Sequence, residues 1–192
     1  MRIEADRVYF YGTRIDEAEA PLEAYRKLAM DALDCVHLDL PKEGKILLKP
    51  NATVLYDADK RIVTHPGFLG GILDSLNARG VAYDRMVVAD GQSGERPEQG
   101  FTWEGAGYRG VMDSRGVALK CLNGEEKKTV PVPGGVIFDT YPIYKDVTDC
   151  EFLFNVPLAK CHNLGCTTLT IKNLMGILGR PERHLCNIQE VD

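Results

Sequence analysis

Short apolar runs alternate along the chain with longer stretches whose apolar residues recur at three- and four-residue steps. The runs Ile46–Lys49, Met86–Ala89 and Phe152–Val156 are apolar enough to be buried on both faces, which is typical of parallel strands. The stretches that begin at Pro21 and Pro66 have helical periodicity, and proline is well tolerated in the first turn of a helix. Strands that alternate with helices predict βαβ units and one parallel sheet containing these three strands.

Several weaker elements are predicted around these segments. Val8–Tyr11 and Ala118–Leu122 are short apolar runs that we expect to be strands. Thr129–Val132 and Val136–Phe138, separated by a Pro-Gly-Gly turn, predict a small β excursion. Phe101–Arg115 has a helical pattern that its glycines weaken.

The last clear pattern, Thr167–Leu178, predicts a helix that ends at Gly179. One stripe of this helix is apolar and would face the core. A second stripe would carry Thr168, Lys172 and Gly176, because residues four apart lie above one another on a helix. This second stripe is free to face a ligand.

The predicted fold class is therefore α/β, with a mostly parallel sheet flanked by helices. A chain of 192 residues suits one domain, so we assign residues 1–192 to a single α/β domain. No further strand pattern follows the predicted last helix. We therefore expect an incomplete, C-terminally truncated version of a larger domain that continues beyond Asp192, with apolar surface left open to water.

Charge and composition exclude several classes of partner. The net charge of −5 argues against nucleic acid and acidic membranes. No apolar run has the length of a signal peptide core or a membrane span, so we expect a cytoplasmic location. The six cysteines are scattered without a Cys-x-x-Cys pair, which indicates reduced thiols.

Polar residues at the ends of the three main strands form the candidate site. Lys49 and Asn51 end the first strand, Asp90 ends the second, and Asn155 and Lys160 belong to the third. Ligands of open α/β sheets bind beyond the carboxyl ends of the strands. If the strands are parallel, these groups converge on one edge of the sheet.

The segment Phe152–Pro181 contains no Asp or Glu although the protein is acidic, and it includes Lys160 and Lys172. The start of the predicted helix, Gly165–Thr168, would offer free N–H groups and the positive end of the helix dipole to an anion. The segment is not a P-loop, because the Gly-Lys-Ser/Thr order is absent. The sequence therefore predicts an anion site without indicating nucleotide hydrolysis.

We expect Lys160 and Lys172 to point into one cavity, with Lys49 and His162 at its rim. The alternative is that Lys172 is a solvated lysine on an exposed helix face. These two interpretations differ in whether the ammonium groups face each other.

A metal site is the second candidate, because soft and borderline ligands occur close together in the sequence. These ligands are Cys161, His162, Cys166, His184 and Cys186. Their spacing matches no zinc pattern, and adjacent residues of a regular strand point to opposite faces. Small cysteines with one hydrogen-bonding histidine are the alternative, and we predict no closed four-ligand cage.

The motifs ILLKPN, THP, VVADG and FNVPLAKCHNLGCTTLTIKNLMGILG together resemble the domain of unknown function 362 family, over roughly residues 46–184. No activity is established for that family in general, and some members carry an added ferredoxin-like module and are labelled iron–sulfur proteins. This chain has no Cys-x2-Cys-x2-Cys run of that module. The resemblance implies functional positions at Lys49, Pro50, Asn51, Thr64, Pro66, Asn155, Pro157, Lys160, His162, Thr168, Lys172, Asn173 and Gly176.

The leading functional hypothesis is an enzyme-like protein that acts on a small phosphate- or carboxylate-bearing molecule. Lys160 and Lys172 would bind the anionic group, and His162 would be the acid/base residue because its ordinary pKa is near neutrality. Asp90 would be a second acid/base group or a metal ligand. The ligand would be oriented by Asn51, Asn155 and Asn173, with Lys49, Thr64 and Thr168 beside them.

Two alternatives stay open. The first is a redox accessory protein that binds an iron–sulfur cluster or another metal through the cysteines and histidines named above, with a ferredoxin-like partner or a missing C-terminal region. The second is a non-catalytic binding module for small molecules. Outside the iron–sulfur alternative, the sequence identifies no cofactor.

Overall fold

A computed structural model describes residues 8, 10–12, 14, 20–52, 62–91, 103, 105–162 and 166–179. Helices and strands alternate along this part of the chain, as the apolar pattern predicts. The helices are α1 (Pro21–Asp34), α2 (Pro66–Ala78), α3 (Tyr108–Asp113), α4 (Lys145–Thr148) and α5 (Thr170–Asn173). The strands are β1 (Ile46–Pro50), β2 (Met86–Asp90), β3 (Ala118–Cys121), β4 (Lys127–Pro131), β5 (Thr140–Tyr144), β6 (Phe152–Val156), β7 (Lys160–His162) and β8 (Cys166–Thr168).

The main sheet has four strands in the order β3-β2-β1-β6, and every neighbouring pair is parallel. The predicted α/β class and the parallel arrangement of the three main strands are confirmed. β1 is central, and all five of its residues are buried, because both faces of the sheet are covered. Ile46 and Leu48 face a core built with α1, α2 and α3, while Leu47 faces a smaller core that includes Tyr144.

Close packing of α1 on α2 depends on glycines at two successive turns of α2. A Cβ atom at Gly67 would lie 2.2 Å from the carbonyl oxygen of Leu22, and one at Gly71 would lie 2.2 Å from that of Arg26. Side chains at these positions would push the helices apart. The two glycines therefore place α1 against the first turn of α2, beside the carboxyl edge of the sheet.

A cluster of charged groups around Asp74, here called the Asp74 cluster, joins the helical layer. Arg26 Nε lies 2.5 Å from Asp74 Oδ2, and Arg115 donates to both carboxylate oxygens at 2.7 and 2.8 Å. The hydroxyl of Tyr83 donates to Asp74 Oδ1 at 2.8 Å. Burial raises the pKa of Asp74, but these three donors outweigh it and hold the pKa at about 2.

Some predicted elements are wrong in extent. Of the run predicted as a strand at Val8–Tyr11, the described residues 8, 10 and 11 have no regular structure. Among the described residues of the helix predicted over Phe101–Arg115, only Tyr108–Asp113 are helical, and they follow Gly107 with φ 76°. The β excursion is an antiparallel hairpin of β4 and β5, so its second strand begins at Thr140 and not at Val136.

The helix predicted over Thr167–Leu178 is the largest error. Cys166–Thr168 is strand β8, which pairs with β7 in an antiparallel hairpin. Helical structure begins only at Thr170, and after Asn173 it continues as a 3₁₀ turn over Leu174–Ile177. Threonines are common in strands because their branched side chains fit the pleat, and here strand pairing outweighs the helical spacing.

None of the helices in the described ranges is long and apolar enough to span a membrane.

Candidate functional site

The carboxyl ends of β1, β2 and β6 meet at one edge of the sheet. Lys49 is in register with Asn155 on the neighbouring strand, and Asp90 ends β2 on the other side of β1. The sequence-predicted residues of these three strand ends therefore come together as the parallel arrangement requires.

Lys49 and Asp90 form a fully buried ion pair at this edge. Lys49 Nζ lies 2.5 Å from Asp90 Oδ1, both side chains are 0% exposed, and the ammonium also donates to the carbonyl of Pro50 at 3.0 Å. The backbone N–H groups of Gly91 and Ala52 donate to Asp90 Oδ1 and Oδ2, each at 2.8 Å. The expectation that Lys49 lies at the rim of a cavity is wrong, because its charge is neutralised inside the protein.

Gly176 packs directly against this ion pair. A Cβ atom at this position would lie 2.2 Å from Asp90 Oδ1 and 2.8 Å from Lys49 Nζ. The 3₁₀ turn can lie against the pair only because residue 176 has no side chain. The resemblance pointed to Gly176, and the structure supplies a packing reason for a glycine there.

A row of three amides crosses the edge beside the ion pair. Asn51 Nδ2 donates to Asn173 Oδ1 at 3.1 Å, and Asn173 Nδ2 donates to Asn155 Oδ1 at 2.8 Å and to the carbonyl of Lys49 at 3.3 Å. Asn155 Nδ2 donates in turn to the carbonyl of Thr170 at 2.9 Å. The row ties β1 and β6 to α5, so these amides position the elements of the site.

One end of the amide row is unsatisfied. Asn51 Oδ1 is buried and has no hydrogen-bond partner in the described part of the chain. A buried acceptor without a donor is destabilising, and such groups occur where function requires them. Of the three amides expected to orient a ligand, Asn51 is thus the one with an unused acceptor.

Thr64 is a buried connector within the site. Its hydroxyl accepts from the backbone N–H of Asn51 and donates to the carbonyl of Val156, each at 2.8 Å. The hydroxyl of Tyr108 donates to the carbonyl of Thr64 at 2.5 Å. Burial raises the pKa of Tyr108 well above its ordinary value, and the negative charge of Asp90 raises it further.

Tyr108 takes part in this hydrogen-bond network, although the sequence analysis did not identify it as a site residue. It also packs edge-to-face on Trp103, with ring centroids 5.3 Å apart. A single tyrosine within a glycine-rich stretch carried no signal that its hydroxyl would reach Thr64. The contact depends on how α3 is placed against α2.

The β7–β8 hairpin determines where Lys160, His162 and Thr168 lie. Lys160 pairs with Thr168, and His162 pairs with Cys166. Thr168 is buried, and no partner for its hydroxyl oxygen occurs among the described residues. Since β8 replaces the predicted start of a helix, the proposed binding of an anion to helical N–H groups at Gly165–Thr168 is wrong; Gly165 itself lies outside the described residues.

Lys160, His162 and Lys172 form a group that we call the cationic cluster. Burial lowers the pKa of Lys160, the charge of Lys172 lowers it further, and Asp90 partly opposes this shift. Loss of solvation lowers the pKa of His162, and Lys172 and Lys160 lower it further. The three groups are close enough for their positive charges to repel one another.

The contacts of the two lysines are with neutral groups. Lys160 Nζ donates to the carbonyl of Ile62 at 2.6 Å, and Lys172 Nζ lies 3.8 Å from the sulfur of Met175. Within the described ranges, neither lysine forms an ion pair with a carboxylate. Among the described residues, the charges of Lys160 and Lys172 are therefore not balanced by a paired carboxylate, in contrast to that of Lys49.

Cys161 and Cys166, two of the ligands considered for a metal site, do not lie opposite each other in the β7–β8 hairpin. Cys161 is opposite Thr167, whereas Cys166 is opposite His162, and both cysteines are exposed. No three His, Cys, Asp or Glu residues come together as metal ligands in the described ranges. The other two candidates, His184 and Cys186, lie outside these ranges, so the alternative is not tested.

Fold and site together define an α/β protein with a polar site at the carboxyl edge of a parallel sheet. The chain belongs to the family described as domain of unknown function DUF362, whose model matches residues 46–190. The family resemblance seen in the sequence is thereby confirmed. Searches of curated proteins and of solved structures found no match to the chain.

Proposed function

We propose that this protein binds a small anion, a phosphate or a carboxylate, through Lys160, His162 and Lys172. The observation that carries the proposal is that the described contacts of Lys160 and Lys172 are with neutral groups. Loss of solvation and, after it, the repulsion within the cluster lower the pKa of both Lys160 and His162. A bound anion would remove that repulsion and restore charge balance. Perturbed pKa values at the edge where α/β folds bind ligands support a functional role over a structural one.

The local sequence favours the same ligand. No Asp or Glu occurs between Phe152 and Gly179, so the segment that carries the cluster supplies no carboxylate to compete with an anion. Asp90, whose negative charge acts on Lys160, is already bonded to Lys49 and to two backbone N–H groups. A charge-assisted hydrogen bond to each lysine is worth about 1.5–3 kcal/mol.

The proposal extends to acid–base catalysis on the bound molecule. The lowered pKa of His162 keeps its imidazole neutral near pH 7, which is the form that accepts a proton. Lys160 and Lys172 would hold the anionic group while His162 acts on an adjacent proton. A non-catalytic binding module would use the lysines in the same way and would not need His162.

The test is isothermal titration calorimetry with inorganic phosphate and acetate on the wild-type protein and on Lys160→Ala and Lys172→Ala. Each substitution should weaken binding roughly ten- to a hundredfold, because one charge-assisted contact is lost. Lys45→Ala is a matched control, since Lys45 Nζ also donates to a backbone carbonyl at 2.6 Å but precedes β1 at the opposite edge of the sheet. Equal affinities in all four proteins would refute anion binding at the cluster.

His162→Gln separates catalysis from binding. The expected result is anion affinity reduced less than in Lys172→Ala, combined with loss of turnover on any phosphate ester or carboxylate substrate that the wild type converts. Turnover retained in His162→Gln would remove the catalytic part of the proposal and leave the binding module.

A further inference from the structure

A cavity of about 310 Å³ lies beside the candidate site, between α1, the start of α2 and the chain that follows β6. Apolar side chains of Tyr25, Leu28, Phe68 and Leu158 line it, and Thr64 and His65 add polar groups. A volume of this order and a mostly apolar lining with few polar groups are characteristic of small-molecule sites. The cavity is large enough for a substituent such as a benzene ring.

Two segments of the cavity wall converge on Lys160. Residues 157–159 line the cavity and lead directly into Lys160. On the other wall, Val63 and Thr64 follow Ile62, whose carbonyl accepts the hydrogen bond from Lys160 Nζ. The ammonium group of Lys160, a member of the cationic cluster, is thus held beside the cavity.

The aromatic wall of the cavity is fixed in position. The rings of Tyr25 and His65 are stacked, with centroids 4.0 Å apart and an interplanar angle of 16°. His65 Nδ1 accepts the N–H of Gly67 at 3.1 Å, which holds the imidazole at the start of α2. Flat, rigid walls suit a planar or aromatic group better than a flexible polar one.

We infer that the ligand of the cationic cluster is an organic anion with an apolar, preferably aromatic, substituent that occupies this cavity. The inference rests on the proposed anion binding and specifies its ligand class. The anionic group, carboxylate or phosphate monoester, would lie at Lys160 and Lys172, and the apolar part at Leu28, Phe68 and Leu158. Charge on one side and an apolar cavity on the other match the two ends of such a molecule.

The experiment compares matched probes by calorimetry at pH 8: inorganic phosphate with phenyl phosphate, acetate with phenylacetate, and phenol alone. Each phenyl compound should bind at least about tenfold more tightly than its small counterpart, because burying a ring removes apolar surface from water. Leu28→Gln and Leu158→Gln should abolish this gain and leave phosphate or acetate affinity unchanged, which also shows that the variants fold. Leu22→Gln, on the exposed side of α1, is the matched control and should keep the gain.

The outcomes distinguish the inference from the proposed function. Phenyl compounds that bind no more tightly than phosphate and acetate would overturn the inference and leave the anion site intact. Phenol that binds as tightly as phenyl phosphate would also overturn it, since cavity and cluster would then act separately. If neither phosphate nor acetate binds, the proposed function falls together with the inference.

Discussion

Lys49 and Lys160 lie at the same edge of the sheet, yet their surroundings are opposite. Lys49 is fully buried, and the carboxylate of Asp90 lies 2.5 Å from its ammonium. Lys160 is half-buried and, among the described residues, donates to the backbone carbonyl of Ile62. The repulsion by Lys172 affects its pKa more than the attraction by Asp90 does. One positive charge is balanced by the fold itself, and the other is not.

This difference between the two lysines distinguishes a charge that stabilises the fold from one that we propose binds a ligand. A buried charge must be paired, and the Lys49–Asp90 pair joins the ends of β1 and β2. The Asp74 cluster is a second balanced group, and it joins the helices. An unbalanced cluster gives the empty protein no stability, and this is the reason why we propose a ligand for it. The following predictions test this distinction.

The largest effect on the free energy of unfolding is expected when the counter-charge of Lys49 is removed. Asp90→Asn should lower the free energy of unfolding by about 3–5 kcal/mol, because it leaves a buried ammonium without its counter-charge. Urea denaturation measures the loss. Asp146→Asn is the matched control: Asp146 accepts from Lys120 at 2.8 Å, but both side chains are about one-third exposed. Its loss should be below about 1 kcal/mol, and similar losses in both variants would contradict the assigned role of burial.

The close packing of Gly176 against the Lys49–Asp90 ion pair should be the next most sensitive feature. Gly176→Ala places a methyl group 2.2 Å from Asp90 Oδ1, and we expect a loss of roughly 2–3 kcal/mol from this overpacking. Thermal or urea unfolding provides the measurement. Gly110→Ala is the control, because Gly110 is in α3 with open space around its Cα. That substitution should leave stability unchanged or raise it, since alanine favours helix.

The Asp74 cluster should make part of the free energy of unfolding depend on pH in the acidic range. The folded pKa of about 2 lies below the ordinary value of 3.8, so this stabilisation is complete above the ordinary value and is lost as pH falls through the folded pKa. It amounts to about 2 kcal/mol. The difference in unfolding free energy between wild type and Asp74→Asn should therefore shrink between pH 5 and pH 2. A difference that stays constant over this range would show that Asp74 does not titrate with folding.

The smallest effect on the free energy of unfolding is expected in the cationic cluster. Lys172→Ala should change the free energy of unfolding by no more than about 0.5 kcal/mol, with a gain as the expected sign, because a repulsion is removed. The pKa of His162, followed by NMR of its imidazole protons, should rise towards its ordinary value. In Lys145→Ala, which alters an exposed lysine paired with Glu126, the pKa of His162 should not move. An unchanged pKa of His162 in Lys172→Ala would show that the cluster does not exist in solution.

Sequence patterns predicted the main sheet because its strands are strongly apolar and well separated. β1, β2 and β6 were found within a residue of their true ends, since burial on both faces leaves a continuous apolar run. The segment after His162 was assigned wrongly because its helical spacing is real but its structure depends on pairing with β7. Such pairing is a tertiary effect that a local pattern cannot reveal.

The site was predicted as a set of residues but not as a set of contacts. Parallel strands guarantee that Lys49, Asp90 and Asn155 reach one edge, and this much follows from topology. Which lysine would be paired does not follow, because it depends on Asp90 lying on the strand next to β1. Sequence analysis therefore placed both Lys49 and Lys160 at the anion site, whereas in the structure Lys49 is paired with Asp90 and Lys160 contacts the carbonyl of Ile62.

The amide row of Asn51, Asn173 and Asn155 has a direction. Each side chain gives its N–H to the next oxygen, and the last gives its N–H to the carbonyl of Thr170. If one amide turned over, two N–H groups or two oxygens would face each other at a neighbouring link. Reversal of all three together would place amide oxygens against the carbonyl oxygens of Thr170 and Lys49, so these two carbonyls fix the polarity of the row. That polarity leaves Asn51 Oδ1 as an acceptor at the open end of the row.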